Sequence, residues 1–261
     1  MLDLQGRTAV VCGGTQGIGF AAARLLAHDG ATVVIVARDP GRLAKARAEL
    51  PTPVDQAHRT VTADFAEPEL VRAAIQADLA AHAGAEILVN NTGGPPGGPI
   101  TAATADEFLA AFKSHLIANH LLAQVMLPGM RHAGYGRIVN IVSTSVKQPL
   151  KGLGVSNTIR AAVAGWAKTL AMEVGPDGIT VNNVLPGATR TGRLESIVAN
   201  RAKSSGTAAS EIERQMEAEI PMGRFGTPDE IAEAVRWLAS PDASYVTGIS
   251  LAVDGGRTSV L

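Results

Sequence analysis

The sequence predicts a doubly wound α/β fold built around one parallel sheet of about seven strands. Three observations carry that prediction. Strand-like and helix-like segments alternate from one end of the chain to the other. The strand-like runs are apolar on both faces, as strands are when helices cover them above and below. The first of these runs leads into a glycine-rich turn that opens a helix. A chain of 261 residues fits one such domain. No repeat, low-complexity tract or linker divides it, so residues 1–261 are expected to form a single unit.

Each element has its own local reason. Thr8–Cys12 is a short β-branched run, and Ile18–Asp29 has helical spacing closed by Gly30. Thr32–Ala37 reads as a buried strand and Pro40–Leu50 as an amphipathic helix. Arg59–Thr62 is the third strand, and Glu67–Ala83 a helix stopped at Gly84. Glu86–Asn90 is the fourth strand, followed by a glycine- and proline-rich loop at 91–99. One long helix is expected from about Thr104 to His132, then a strand over Arg137–Val142. A helix over Ser156–Val174 and a strand over Ile179–Leu185 repeat the rhythm. Thr189–Ala218, polar and alanine-rich, is expected to form mobile helices over the site. A helix over Pro228–Ser240 and a strand over Ile249–Val253 finish the chain.

Composition narrows the function classes. The chain is 46% hydrophobic and 18% charged with a net charge of −1, ordinary for a globular protein. Its basic residues are scattered, so neither a nucleic-acid-binding nor a polybasic membrane-binding surface is expected. The single cysteine, Cys12, excludes an internal disulfide and a cysteine-rich metal site. The other histidines, His28, His58, His82, His120 and His132, lack metal-ligand spacing, so no metal is expected. No apolar run approaches the roughly 20 residues a membrane span needs, and Met1–Val10 lacks a leader pattern. The expected location is the cytoplasm.

The turn after the first strand reads Gly13-Gly14-Thr15-Gln16-Gly17-Ile18-Gly19. Glycines let backbone N–H groups approach a pyrophosphate at the positive end of the following helix. The spacing Gly-x-x-x-Gly-x-Gly, with Thr15 and Ile18-Gly19, resembles the short-chain dehydrogenase/reductase family, in particular its 3-oxoacyl-carrier-protein reductases. Further marks agree along essentially the whole chain. Asp64 matches the family's adenine-ring aspartate, and Asn90-Asn91-Thr92-Gly93 its Asn-Asn-Ala-Gly loop. Pro186-Gly187, with Thr189 and Thr191, resembles the loop beside the nicotinamide, and Val253-Asp254-Gly255-Gly256 the C-terminal signature. The resemblance implies that Gly13, Thr15, Gln16, Gly17, Ile18, Gly19, Asp64, Asn91, Thr92, Gly93, Pro186, Gly187, Thr189 and Thr191 bind a dinucleotide.

Cofactor choice turns on the end of the second strand. An acid there would bind the ribose 2′-hydroxyl of NAD, whereas an arginine accommodates the 2′-phosphate of NADP. This chain has Ala37-Arg38, with Asp39 one position later, so NADP(H) is expected over NAD(H).

Enzymes of the family use Asn, Ser, Tyr and Lys. The stretch Gly136–Ser143 matches the strand that carries the serine, placing Ser143 at that position. Ser156 then falls where the tyrosine belongs and Arg160 where the lysine belongs, without a gap. Arg160 retains the capacity to hydrogen-bond a ribose or an anionic substrate. Asp106-Glu107-Phe108 and Pro128-Gly129-Met130 anchor His115 at the asparagine position, with Asn119 one turn further on the same face. Tyr135 and Tyr245 precede strands, away from the crevice. His115 alone among the four is expected to titrate near neutrality and to supply the proton through water and Ser156. The alternative is that it only fills and hydrogen-bonds the helix interior. Lys147 and Lys151 are expected to be solvated, though an acidic substrate would meet them.

Three functional readings follow. One is an NADP(H)-dependent oxidoreductase reducing a ketone or 3-oxoacyl-like substrate, with a small-molecule carbonyl or alcohol as its partner. Another is a non-catalytic dinucleotide-binding sensor or assembly protein. The third is a different reaction in which Arg160 grips an anion. The resemblance also implies a homo-oligomer, commonly a tetramer in this family.

Overall fold

A computed structural model describes residues 3–82 and 84–260. Seven parallel strands lie in the order β3-β2-β1-β4-β5-β6-β7. They are β1 (Thr8–Cys12), β2 (Thr32–Ala37), β3 (Arg59–Thr62), β4 (Ile87–Asn90), β5 (Gly136–Ile141), β6 (Ile179–Pro186) and β7 (Ser250–Val253). Strand order reverses between β1 and β4, and the loops after these two strands open the crevice where ligands bind in such sheets.

Side chains leave each strand alternately, so the doubly apolar runs feed two cores. Ala9, Val11, Val33 and Ile35 meet α1 (Gly17–His28), α2 (Pro40–Ala48) and α9 (Pro228–Ala239) on one face. Val10, Cys12, Val34 and Val36 meet α3 (Pro68–Ala81), α5 (Ala118–Ala133) and α6 (Gly154–Val174) on the other. Burial pushes the Cys12 thiol up to about 12, so it stays protonated. Of the predicted third helix, Ala83 lies outside the described residues.

The segment 189–218 forms α7 (Gly192–Ser205) and α8 (Ala209–Ala218). These two carry a small core of their own, including Leu194, Val198, Ile212, Met216 and Phe225. No described helix is long and apolar enough to cross a membrane.

One expectation is corrected. The sequence pattern predicts an unbroken helix over 104–132, but the structure divides it. An α-helix, α4 (Ala105–Phe112), passes into one π-helical turn (Lys113–Ile117) and then into α5. A capping box of Thr104 and Glu107 sets the start of α4. The wider i→i+5 turn shifts the helical phase, and His115, within that turn, is only 3% exposed. Nothing in Lys113–Ile117 breaks a helix by composition, so propensity alone does not reveal the turn.

Candidate active site

The glycine turn follows β1 and reaches the N-terminus of α1. Gly13 has φ +59, and a Cβ there would lie 2.5 Å from the Asn91 carbonyl oxygen. A Cβ on Gly19 would lie 2.4 Å from the Gly13 oxygen. Only glycine fits either place. Helix α1 has no side-chain cap at Gln16 and no acid in its first turn. Its leading N–H groups and positive end therefore stay available to an anion, which fits a dinucleotide pyrophosphate.

Of the remaining predicted nucleotide residues, Asn91 and Thr191 lie against this turn. Asn91 Nδ2 donates to the Gly13 oxygen at 3.3 Å. Thr191 caps α7, and its methyl lies 3.3 Å from where a Cβ on Gly17 would stand. Thr191 Oγ1 donates to the Thr189 carbonyl, and Thr189 Oγ1 to that of Gly187. The Gly187 N–H is bound in turn to Val253 at the end of β7.

At the end of β2, exposed Arg38 stands 3.8 Å from Asp64. Asp39 is committed elsewhere: its Oδ1 accepts the Arg42 N–H at 3.0 Å and caps α2. Arg42, which the sequence reading missed, reaches back to Gln16 Oε1 at 3.4 Å. Its place three residues after Asp39, at the start of the predicted second helix, was the available signal.

The loops after β4 and β5 bring the other group together. Ser143 follows β5, and its Oγ accepts the Ser145 N–H at 3.1 Å. Backbone bonds from Gly98 to Gly152 and from Gly154 to Gly98 tie the loop after β4 to the start of α6. That clamp fixes the first turns of α6, which carry buried Ser156 and, four residues on, Arg160. Arg160 Nη1 donates to the Ile141 carbonyl at 2.9 Å, beside Ser143, while its buried Nε has no partner among the described residues.

His115 Nδ1 lies 2.6 Å from Thr92 Oγ1. Burial, then the positive charges of Arg160 and Arg193, push its imidazole down to about 3, against an opposing hydrogen bond to the Gly93 backbone. The expectation that His115 titrates near neutrality is thereby corrected: it is neutral there, because a buried imidazolium would face two guanidiniums. Arg160 is pushed down to about 10 by burial and by Arg193, so it stays cationic at neutral pH. Arg193, on the first turn of α7, is a second residue the sequence reading missed.

Tyr135 and Tyr245 lie away from this group. The Tyr135 hydroxyl donates to the Ala239 carbonyl at 2.6 Å, and Arg7 and Arg137 cover its ring. Tyr245 is fully exposed ahead of β7. A cavity of about 220 Å³ opens between Thr144, Gln148 and Leu150 after β5, Glu219 after α8, and Arg257 and Thr258 of the tail.

A glycine-cradled, uncapped helix at the switch point of a parallel sheet, with polar side chains at the neighbouring strand end, defines a dinucleotide-dependent oxidoreductase. Comparison with known proteins agrees. The family model described as enoyl-(acyl carrier protein) reductase matches residues 13–258. An uncharacterized oxidoreductase of Mycobacterium tuberculosis is 33% identical, covering 99% of this chain and 94% of its own. The 3-oxoacyl-[acyl-carrier-protein] reductase FabG of Vibrio cholerae is 32% identical, over 98% of both chains. Among solved structures, L-sorbose reductase from Gluconobacter frateurii, complexed with NADPH and L-sorbose, superposes with a TM-score of 0.93. It is 33% identical and the match covers 100% of this chain and 99% of that one. The chain belongs to the short-chain dehydrogenase/reductase family of NAD(P)-dependent oxidoreductases.

Proposed function

We propose that this protein is an NADP(H)-dependent reductase of a ketone, of 3-oxoacyl or similar type, in which Ser156 and Arg160 stand in place of tyrosine and lysine. One observation carries the reading: the uncapped N-terminus of α1 opens at the same sheet edge as Ser143. Arg38 and Arg42 supply two guanidiniums where a 2′-phosphate would sit, while Asp39 is occupied in capping α2. The nicotinamide, when bound, supplies a hydride to the carbonyl carbon; a proton added to the oxygen completes the alcohol.

The chain's own groups act on that oxygen. Ser143 donates a hydrogen bond to it, and the Arg160 guanidinium stabilises the charge that develops there. Neutral His115 relays a proton rather than storing one, receiving at one ring nitrogen as it gives from the other, through Ser156 and water. Helices α7 and α8 cover the substrate, and copies of the chain associate into a homo-oligomer. NADPH fluorescence titration followed by oxidation assays over a carbonyl panel tests the reading. Turnover lost in Ser143→Ala supports it, and NADPH binding without turnover on any panel member overturns it.

A second reading, a dinucleotide-binding sensor without turnover, is favoured by one fact. Ser143, Ser156, Arg160 and neutral His115 include no strong proton donor at neutral pH.

A further inference from the structure

Two arginines converge on this site from different parts of the chain without an acid to meet them. Arg160 comes from α6, and its one protein partner among the described residues is the Ile141 carbonyl. Its Nε is buried and unpartnered among the same residues. Arg193 comes from α7 and crosses to the loop after β4, donating through Nη1 to the Gly94 carbonyl at 3.0 Å and through Nη2 to that of Pro95 at 3.1 Å. The contact is close: a Cβ on Gly94 would stand 2.9 Å from the guanidinium carbon. His115 is held to the same loop two residues earlier, through Thr92.

Three acids of the neighbouring segments are engaged elsewhere, and Glu195, on the first turn of α7, makes no ion pair with Arg193 among the described residues. Glu217 pairs with Arg190, Glu219 with Arg257 and Glu230 with Arg224. No described carboxylate lies within salt-bridge distance of Arg160 or Arg193, whereas Arg190, Arg224 and Arg257 each have one. A guanidinium with a buried, unpartnered Nε and no counter-ion is costly, and the positive charge of Arg193, itself an exposed residue, raises the cost. An unsatisfied charged group of this kind suits an anion that arrives from outside.

We infer that Arg160 and Arg193 together form the recognition site for the carboxylate of an anionic keto-acid substrate. Arg193 is the specificity-determining member, and because it sits on the first turn of α7, the bound carboxylate ties that helix to the loop after β4. The pyrophosphate of the cofactor does not fill this role, since its place is the N-terminus of α1. Exposed Lys147 and Lys151, after Ser143, add positive charge on the approach.

The inference rests on the reductase reading for its site, so its test separates the two. Isothermal titration of the NADP-loaded protein uses oxamate, acetoacetate and phenylpyruvate against oxamide, ethyl acetoacetate and methyl phenylpyruvate. At least one acid is expected to bind roughly tenfold or more tighter than its uncharged partner. Arg193→Gln is expected to erase most of that difference, and Arg193→Lys to restore part of it. Unchanged NADP affinity in both variants reports an intact fold. Equal binding of every acid and its partner, or a preference that survives Arg193→Gln, overturns the carboxylate site. NADPH oxidation on the same compounds judges the other reading. Acids bound but never reduced leave the anion site standing and sink the reductase; neutral ketones reduced as efficiently as acids do the reverse.

Discussion

Thr92 Oγ1 and His115 Nδ1 lie 2.6 Å apart, joining the loop after β4 to the π turn between α4 and α5. The contact holds the imidazole in a buried place where Arg160 and Arg193 oppose its charge. A consequence for stability follows from the sign. The folded-state value of about 3 lies below the ordinary 6.5, so between them the unfolded chain binds the extra proton. The contribution is complete above the ordinary value and is lost as pH falls from there towards 3. The slope from this group approaches one proton, about 1.4 kcal/mol per pH unit. His115→Asn is expected to flatten the acid side of the stability profile, as measured by urea unfolding between about pH 7 and pH 5. An unchanged slope would show that His115 is not the group responsible.

A second prediction concerns the glycine cradle. Alanine at position 13 meets both a left-handed φ of +59 and the Asn91 carbonyl. Gly13→Ala is expected to cost about 1–3 kcal/mol of stability. It should also weaken NADPH binding by roughly tenfold or more, because the backbone must retreat from the phosphate path. Fluorescence titration and urea unfolding check the two effects separately.

Cofactor preference gives a third. Arg38→Ala is expected to weaken NADPH roughly tenfold while leaving NADH affinity nearly unchanged, since only NADPH presents the 2′-phosphate. Arg42→Ala should act in the same direction and more weakly. Parallel loss of both nucleotides would place these arginines outside the discriminating contact.

The sheet itself offers a fourth. Asn90 Nδ2 donates to Asn140 Oδ1 at 2.9 Å, Asn140 Nδ2 to Asn183 Oδ1 at 3.0 Å, and Asn183 Nδ2 to Ser250 Oγ at 3.2 Å. These residues are register partners on β4, β5, β6 and β7, so the amides form a buried rung across four strands. Asn140→Leu interrupts the rung in its middle and strands polar atoms on both sides. The expected loss is about 2–4 kcal/mol, read as a lower urea midpoint with the m-value preserved. A midpoint within error of the parent would show that the rung contributes little.

Legibility in the sequence depended on the range of the interaction. β1, β2 and β3 fall where their β-branched runs place them, residue for residue. The break between α4 and α5 was hidden because Lys113–Ile117 are ordinary helix residues, and the π turn is selected by packing. Arg193 was hidden for a related reason. Its partners, the carbonyls of Gly94 and Pro95, are 99 and 98 positions away and leave no mark near it in the chain. Arg42 sat within reach of a local reading, four positions past Arg38.

The sequence by itself determined the alternating architecture and the nucleotide turn, because both follow from local patterns: apolar periodicity, and glycine where a Cβ cannot fit. It also set which residues stand at the end of β5 and on the first turns of α6. Only the tertiary structure decided their charge states and partners. That His115 is neutral, and that among the described residues the Arg160 Nε has no partner and Arg193 no ion pair, depend on burial and on charges brought together through space. Such electrostatics are set by distance and desolvation, and neither is written in the order of residues.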